Sequence, residues 1–229
     1  KASRLQNFYA KIYAMAVNAD ILVTAGPTWI QLDSVRVVTN IFSGRTGYSI
    51  AEGLAKRGYR VTLLLGPSAF KPQPRKNLTV HSFTYFEDLR RLVKRLLGDK
   101  TYSLIIHTAA VSDYQAVRVH KGKIASKQER LVLELKPTPK IIKDMRRLAP
   151  RTSIVQFKLE TGLTKSELIE RAYASLLHNR SDWVVANDLK DMRGGEYRGI
   201  LIDKLKNTDP VASRSELIAK LAALAKTVV

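Results

Sequence analysis

Cysteine is missing from all 229 residues of the chain. That excludes disulfide frameworks, thiolate-ligated zinc, iron–sulfur clusters and thiol catalysis together. Histidine is almost as scarce: His81, His107, His120 and His178 lie far apart and never at HExxH spacing. No His-rich metal site is expected, and no GxSxG elbow supplies a serine for a Ser–His triad. No apolar run approaches the roughly 20 residues of a membrane span, and no signal-peptide pattern opens the chain. The expectation is an intracellular, cytoplasmic, globular protein. Acids are also few, with Asp20, Asp33 and Glu52 the only ones up to residue 80.

What the chain does contain is positive charge, 39 Lys+Arg against 20 Asp+Glu for a net of +19. Such an excess attracts polyanions or phosphorylated metabolites. No block of five consecutive bases appears, and the aromatics, 7% of the chain, do not interleave with the bases as a base-stacking surface would. A phosphate-handling pocket therefore fits better than a nucleic-acid surface. With 45% hydrophobic residues the chain can bury a core unaided, and no repeat or linker divides it. One domain over 1–229 is expected.

A helical pattern covers 1–19, and the chain then alternates. Ile21–Ala25 is an apolar run stopped by Gly26-Pro27, residues 46–57 form an amphipathic helix, and Val61–Leu65 is a second buried run. Leu78–Tyr85 reads as a strand, Phe86–Leu97 as a helix closed by Gly98, and Ser103–Thr108 as a strand. Residues 115–135 have no helical period; two short alternating runs around Lys121-Gly122 predict a β-hairpin or an extended flap rather than a layer of the sheet. A helix near 139–148, a strand at Ser153–Phe157, a helix opened by the capping box Thr164-Lys165-Ser166-Glu167, strands at Trp183–Ala186 and Tyr197–Asp203, and a last helix capped at Ser213 complete the chain. Continuous apolar strands alternating with amphipathic helices imply a mostly parallel sheet with helices on both faces, a Rossmann-like three-layer sandwich. Ligands in such folds bind beyond the carboxyl ends of the strands.

The post-strand loops are therefore the places for chemistry. Thr24-Ala25-Gly26-Pro27-Thr28 sits where a dinucleotide fold keeps its phosphate turn, but it lacks GxGxxG, and no Tyr-xxx-Lys pair occurs. This counts against a short-chain NAD(P) reductase. A tight turn explains the segment as well as a ligand does. Ser43-Gly44 and Thr46-Gly47 precede a helix, so backbone N–H groups there suit an anion, with Arg36 and Arg45 to add charge; an ordinary capped loop with two solvated arginines is the other reading. Ala109 and Ala110 let a ligand ring approach backbone, and Asp113 follows as an acceptor or as a simple cap. Lys121 and Lys123 occupy the flap, either as a solvated tip or as mobile charges over phosphates. Phe157 ends a strand, in the core or stacked on a base.

Taken in order, TAGPT, DSVRVVTN with SGRTG, AAVSDY, GKI, LKPTPKI, QFKLET and VVAND resemble phosphopantothenoylcysteine synthetase over Ile21 to Lys220. The resemblance is to the stand-alone bacterial form of that coenzyme A enzyme. It implies a phosphopantothenate–cysteine ligase that uses CTP with Mg²⁺, makes an acyl-cytidylate, couples it to cysteine, and dimerises partly through the 115–135 flap. It also implies residue roles. Asn40 would hold the acyl-nucleotidylate and Arg36 support the acyl substrate. Lys123 would act on the phosphates and in the second step. Gly26, Ser43 and Gly44 would lie at the phosphates, Ala109, Ala110 and Asp113 at the nucleotide, Thr138, Pro139 and Ile141 at the base, and Phe157 against the nucleotide.

The chain departs from the pattern at four places. Lys140 stands where many relatives carry aspartate, and Lys158-Leu159 replaces Ala-Ala. Ser175, His178, Asn179 and Arg180 occupy the region where relatives supply lysines, and Trp29-Ile30-Gln31 lacks the frequent Arg-Glu. No Mg²⁺ ligand is marked by the sequence. A basic nucleic-acid-binding protein remains the alternative of a different class.

Overall fold

In chain order the computed structural model contains β1 (Asp20–Ala25), β2 (Trp29–Gln31), β3 (Val37–Thr39), α1 (Arg45–Lys56), β4 (Arg60–Leu65), β5 (Leu78–Ser82), α2 (Phe86–Asp99), β6 (Leu104–His107), β7 (Tyr114–Ala116), β8 (Leu135–Pro137), α3 (Ile141–Leu148), β9 (Ser153–Glu160), α4 (Lys165–Asn179), β10 (Trp183–Asp188), a 3-10 segment (Leu189–Gly195), β11 (Gly199–Asp203), β12 (Thr208–Val211) and α5 (Arg214–Thr227). The structure describes residues 19–69, 71–127, 129–195 and 197–228. The helix expected over 1–19 lies, Ala19 apart, outside them. No helix among the described residues is long and apolar enough to cross a membrane.

Eight strands form one sheet in the order β12-β11-β10-β9-β6-β1-β4-β5. Pairing is parallel from β5 to β10 and antiparallel at the β10–β11–β12 edge. The buried runs behave as a covered sheet requires, with successive residues facing opposite layers. Ile21, Val23 and Ala25 pack with Ile50, Leu54, Leu217 and Leu221 beneath α1 and α5. Leu22 and Ile105 pack with Leu89, Val93, Ile142 and Met145 beneath α2 and α3. On that same side Leu168, Ala172 and Leu176 of α4 cover Val184 and Ala186. Each fully buried aliphatic side chain contributes roughly 2 kcal/mol relative to exposure. This is the three-layer Rossmann-like arrangement expected from the alternation.

Local chemistry sets the helix ends. Thr164 Oγ1 accepts from Glu167 N and the Glu167 carboxylate accepts from Thr164 N, the capping box read in the sequence. Ser213 Oγ accepts from Glu216 N. The helix expected to close at Gly98 continues to Asp99.

Two hairpins differ from expectation. The β2–β3 pair (Trp29↔Thr39) lies where a plain loop was read, its three-residue strands being too short to show a period. Among the described residues the 115–135 flap is paired at its base, β7 with β8 plus Val117 N to Glu134 O at 3.0 Å, and the runs around Lys121-Gly122 do not pair with each other. Their backbone bonds go to the loop after β2 instead: His120 N donates to Leu32 O at 2.9 Å and Ser34 N to Gly122 O at 3.0 Å. A third unforeseen strand, β12, pairs antiparallel with β11 (Ile202↔Thr208).

Candidate active site

The chain leaves β1 through α1 toward β4 and β5, then returns across β1 to β6, so the strand order reverses between β1 and β6. Loops diverging at such a point open a crevice at the carboxyl edge of the sheet. A cavity of about 520 Å³ lies there, walled by Gly26, Ser43 to Gly47, Thr108 to Ala110, Phe157, Asn187, Tyr197 and Arg214 among others.

Glycine lets the floor form. Gly44 has φ +77, and a Cβ there would stand 2.8 Å from both Cα and N of Gly26. Main chain therefore lies against main chain where α1 meets β1. Gly44 is the N-cap of α1 and no side chain caps the helix, nor does its first turn carry an acid. First-turn N–H groups with no side-chain cap and the positive end of the helix dipole sit beside the cavity lined by Gly44, Arg45, Thr46 and Gly47. This is the electrostatic setting for an anion that the Ser43–Gly47 pattern suggested.

The loops after β1 and β6 are joined along their length. Ala110 N donates to Gly26 O at 3.0 Å and Thr28 N to Ala110 O at 3.3 Å. Ser112 N donates to Thr28 Oγ1 at 2.8 Å, and Thr138 Oγ1 donates to Ser112 O at 2.7 Å. Asn40 joins the same wall: its Nδ2 donates to Ala110 O at 3.0 Å, which leaves the amide oxygen to solvent.

Beneath this wall Thr24 Oγ1 accepts from Ala109 N at 3.2 Å and lies 2.8 Å from His107 Nδ1. Which of the two atoms donates depends on the ring's tautomer. Burial holds the ring neutral and pushes its pKa down to about 4. The unfolded chain, with histidine near 6.5, binds more protons between these values. The His107 contribution to stability is therefore complete above about pH 6.5 and lost as pH falls toward 4, a change of about 3 kcal/mol. Urea midpoints measured across pH 4–7 are expected to fall in the wild type, and to fall less in His107→Gln. Parallel curves for the two proteins would remove His107 as the cause.

Nine of the residues singled out in the sequence, Gly26, Ser43, Gly44, Arg45, Thr46, Gly47, Ala109, Ala110 and Phe157, meet in the cavity, with Asn40 on its wall. The others lie beside it. Asp113 is exposed and pairs with Lys140 Nζ at 2.5 Å, so the lysine that departs from the family pattern neutralises that acid. Thr138 is buried, Pro139 exposed, and Ile141 is a core side chain between the sheet and α2. Arg36 Nη1 binds the Asp33 carboxylate at 2.7 Å, and Lys123 is exposed in the flap. Ser175 and Asn179, in the region where relatives supply lysines, are bound to the side chain of Gln156.

Sequence reasoning reached the far wall only at Asn187, in the VVAND motif, and missed Tyr197 and Arg214 beside it. Asn187 Oδ1 accepts from the Tyr197 hydroxyl at 3.2 Å, and Asn187 Nδ2 donates to Arg198 O at 2.7 Å. Burial pushes the Tyr197 phenol up, so it stays protonated as a donor. The Arg214 guanidinium lies over the Tyr197 ring, 5.7 Å from its centroid. The apolar run Trp183–Ala186 marked the strand that carries Asn187, but nothing in the pattern showed β11 and α5 closing around its end.

Fold and crevice together define a Rossmann-like domain with a cleft at the β1/β6 switch point, onto which the start of α1 opens. The chain belongs to the DNA/pantothenate metabolism flavoprotein C-terminal domain family, matched over residues 16–226. It is 38% identical over 184 residues to the coenzyme A biosynthesis bifunctional protein CoaBC of Thermococcus kodakarensis, covering 80% of this chain and 45% of that protein. The crystal structure of the DNA/pantothenate metabolism flavoprotein from Streptococcus pneumoniae superposes with TM-score 0.84 at 32% identity, covering 91% of this chain and 99% of the other. The C-terminal domain of a CoaBC protein superposes with TM-score 0.75 at 26% identity, over 93% and 96% of the two chains. The chain spans 45% to 51% of the length of the first two bifunctional relatives. The resemblance read from the ordered motifs and these comparisons select the same family.

Proposed function

We propose that the chain is a phosphopantothenate–cysteine ligase of coenzyme A biosynthesis that uses CTP. In the first step a carboxylate oxygen of phosphopantothenate attacks the α-phosphorus, and the bond to pyrophosphate breaks. In the second the cysteine amine attacks the acyl carbon, the C–O bond to CMP breaks, and the amine loses a proton. The observation that carries the reading is the Asn40–Ala110 hydrogen bond, which joins the amide assigned to the acyl-nucleotidylate to the loop assigned to the nucleotide. Two anionic substrates repel each other in water, and the uncapped start of α1 offers donors and positive potential against that repulsion.

The chain's own groups have simple tasks in this reading. Asn40 holds the acyl-nucleotidylate, its oxygen available to an incoming amine. Arg36 supports the acyl substrate, and Lys123 neutralises phosphate charge. Phe157 and the Ala109-Ala110 backbone give the nucleotide flat surfaces. Among the described residues no three His, Asp or Glu side chains converge as metal ligands. Mg²⁺ is proposed to enter with CTP. A second copy of the chain is the proposed partner, favoured by Val35, Val38, Val119 and Val132, which the two hairpins leave exposed.

The test is pyrophosphate release with phosphopantothenate, comparing CTP with ATP and with and without cysteine. Release that needs phosphopantothenate but not cysteine is expected, with CTP preferred; no release with either nucleotide would sink the reading. Asn40→Asp sharpens it. The substitution sets a carboxylate oxygen against Ala110 O in place of the amide donor, and adds negative charge beside two anions. Product formation is expected to fall roughly 100-fold while pyrophosphate release stays measurable. Unchanged rates for both half-reactions would remove Asn40 from the mechanism.

A further inference from the structure

Asp33 is 1% exposed, yet it stands in a surface loop beside two hairpins. Its two carboxylate oxygens do different work. Oδ1 accepts from Val35 N at 2.8 Å and Arg36 N at 2.7 Å, closing a tight turn after β2. Oδ2 accepts from the Arg36 guanidinium at 2.7 Å and from Ile124 N, 91 positions further along, at 2.9 Å. Arg36 Nη1 also donates to Ile124 O at 3.0 Å. The Ile124 residue is thus gripped at both its N–H and its carbonyl by one ion pair. A second grip, Ser34 N to Gly122 O at 3.0 Å, lies two residues earlier. Lys123 sits between the two anchored residues, and the Ile124 side chain is itself 8% exposed.

A buried carboxylate is costly unless its acceptor sites are filled. Here protein donors fill four, and they hold the Asp33 pKa down to about 2, with the Ile124 N–H as the largest cause. The charge is therefore present at any ordinary pH. An exposed loop aspartate would close its own turn with one oxygen and leave the other to water. Oδ2 instead reaches the flap, and the turn at 33–36 does not need that bond.

Building on the ligase reading, we infer that Asp33 is a positioning residue that makes the Arg36 guanidinium and the Lys123–Ile124 flap backbone a single unit. Placing the arginine for the acyl substrate then also places the lysine for the phosphates. Neither side chain needs to find its position separately. Asp33 itself touches no reacting atom in this arrangement; it acts through Arg36 and through the flap backbone.

Asp33→Asn separates its two functions. An asparagine oxygen in the Oδ1 position keeps the turn, while an amide group in place of Oδ2 confronts two donors with a third. Trypsin cleavage after Lys121 and Lys123, followed by mass spectrometry, is expected to be roughly 10- to 100-fold faster in the variant, the loss anticipated for charge-assisted bonds. In steady state the variant is expected to raise KM for phosphopantothenate and lower kcat. In a Lys123→Gln background the same substitution should change kcat little, because the residue being placed is already gone; a general structural defect would lower kcat in both backgrounds. Amide exchange at Ile124 in the wild type is a check that depends on no variant folding. A protected amide supports the tether. Exchange as fast as in a free peptide, or equal cleavage rates in variant and wild type, overturns it. Should the cleavage and exchange results hold while the wild type releases no pyrophosphate, the ligase reading fails and the tether stands.

Discussion

Lys123→Gln is expected to lower turnover roughly 100-fold while moving the melting temperature by only about 2 °C. The two figures have separate origins. Lys123 is exposed and supports no core contact, and substitutions at such positions usually stay within about 0.5 kcal/mol. Its value to the reaction is a compact positive charge on a flexible stem, held between two backbone anchors that glutamine would not disturb. Glutamine keeps length and hydrogen bonding but removes the charge that offsets developing negative charge on the phosphates. Steady-state assays beside thermal melts decide the matter. Matched losses of activity and melting temperature would make Lys123 a structural residue and take the flap out of the chemistry.

Gly44→Ala is expected to lower the melting temperature by roughly 5–10 °C and activity by more than tenfold. The first cost is conformational, since φ +77 is expensive for alanine. The second is steric. The new Cβ would lie 2.8 Å from Gly26 Cα and N, and these are backbone atoms with no rotamer to yield. Together they are worth about 2–3 kcal/mol. Relief requires α1 to back away from β1, which carries its uncapped N–H groups away from whatever anion they bind. A melting temperature within 2 °C of the wild type would mean that this contact has room to spare.

The sequence disclosed most where physics acts locally. Ile21–Ala25 and Val61–Leu65 are buried on both sides, so their continuous apolar character marks them as central strands whatever lies elsewhere. Thr164 and Ser213 cap helices through neighbours three residues away, a relation visible in one dimension. The glycine-rich segment at 43–47 and the small residues at 109–110 also proved to face one cavity. Three-residue strands such as β2 and β3 were not legible, because two alternations cannot be told from chance; β7 and β8 were legible only as the ends of the flap. Asn187 stood in the VVAND motif, but its neighbours Tyr197 and Arg214 were hidden for another reason: the chain beyond β10 turns back antiparallel as β11. Ile141 sits within a motif assigned to base recognition and proved to be core packing, since a helix start must bury one face. Asp33 headed a motif, yet its longest reach is a contact that no local pattern encodes.

The floor of the crevice has a consequence for inhibitor chemistry. Where Gly26 meets Gly44, and along the peptide of Ala109 and Ala110, a bound compound would rest on amide planes rather than on side chains. Amide planes offer no functional group that a point mutation can delete, and a Cβ at Gly44 would stand only 2.8 Å from the Gly26 backbone. A scaffold anchored on that floor would be difficult to escape by substitution at Gly26 or Gly44.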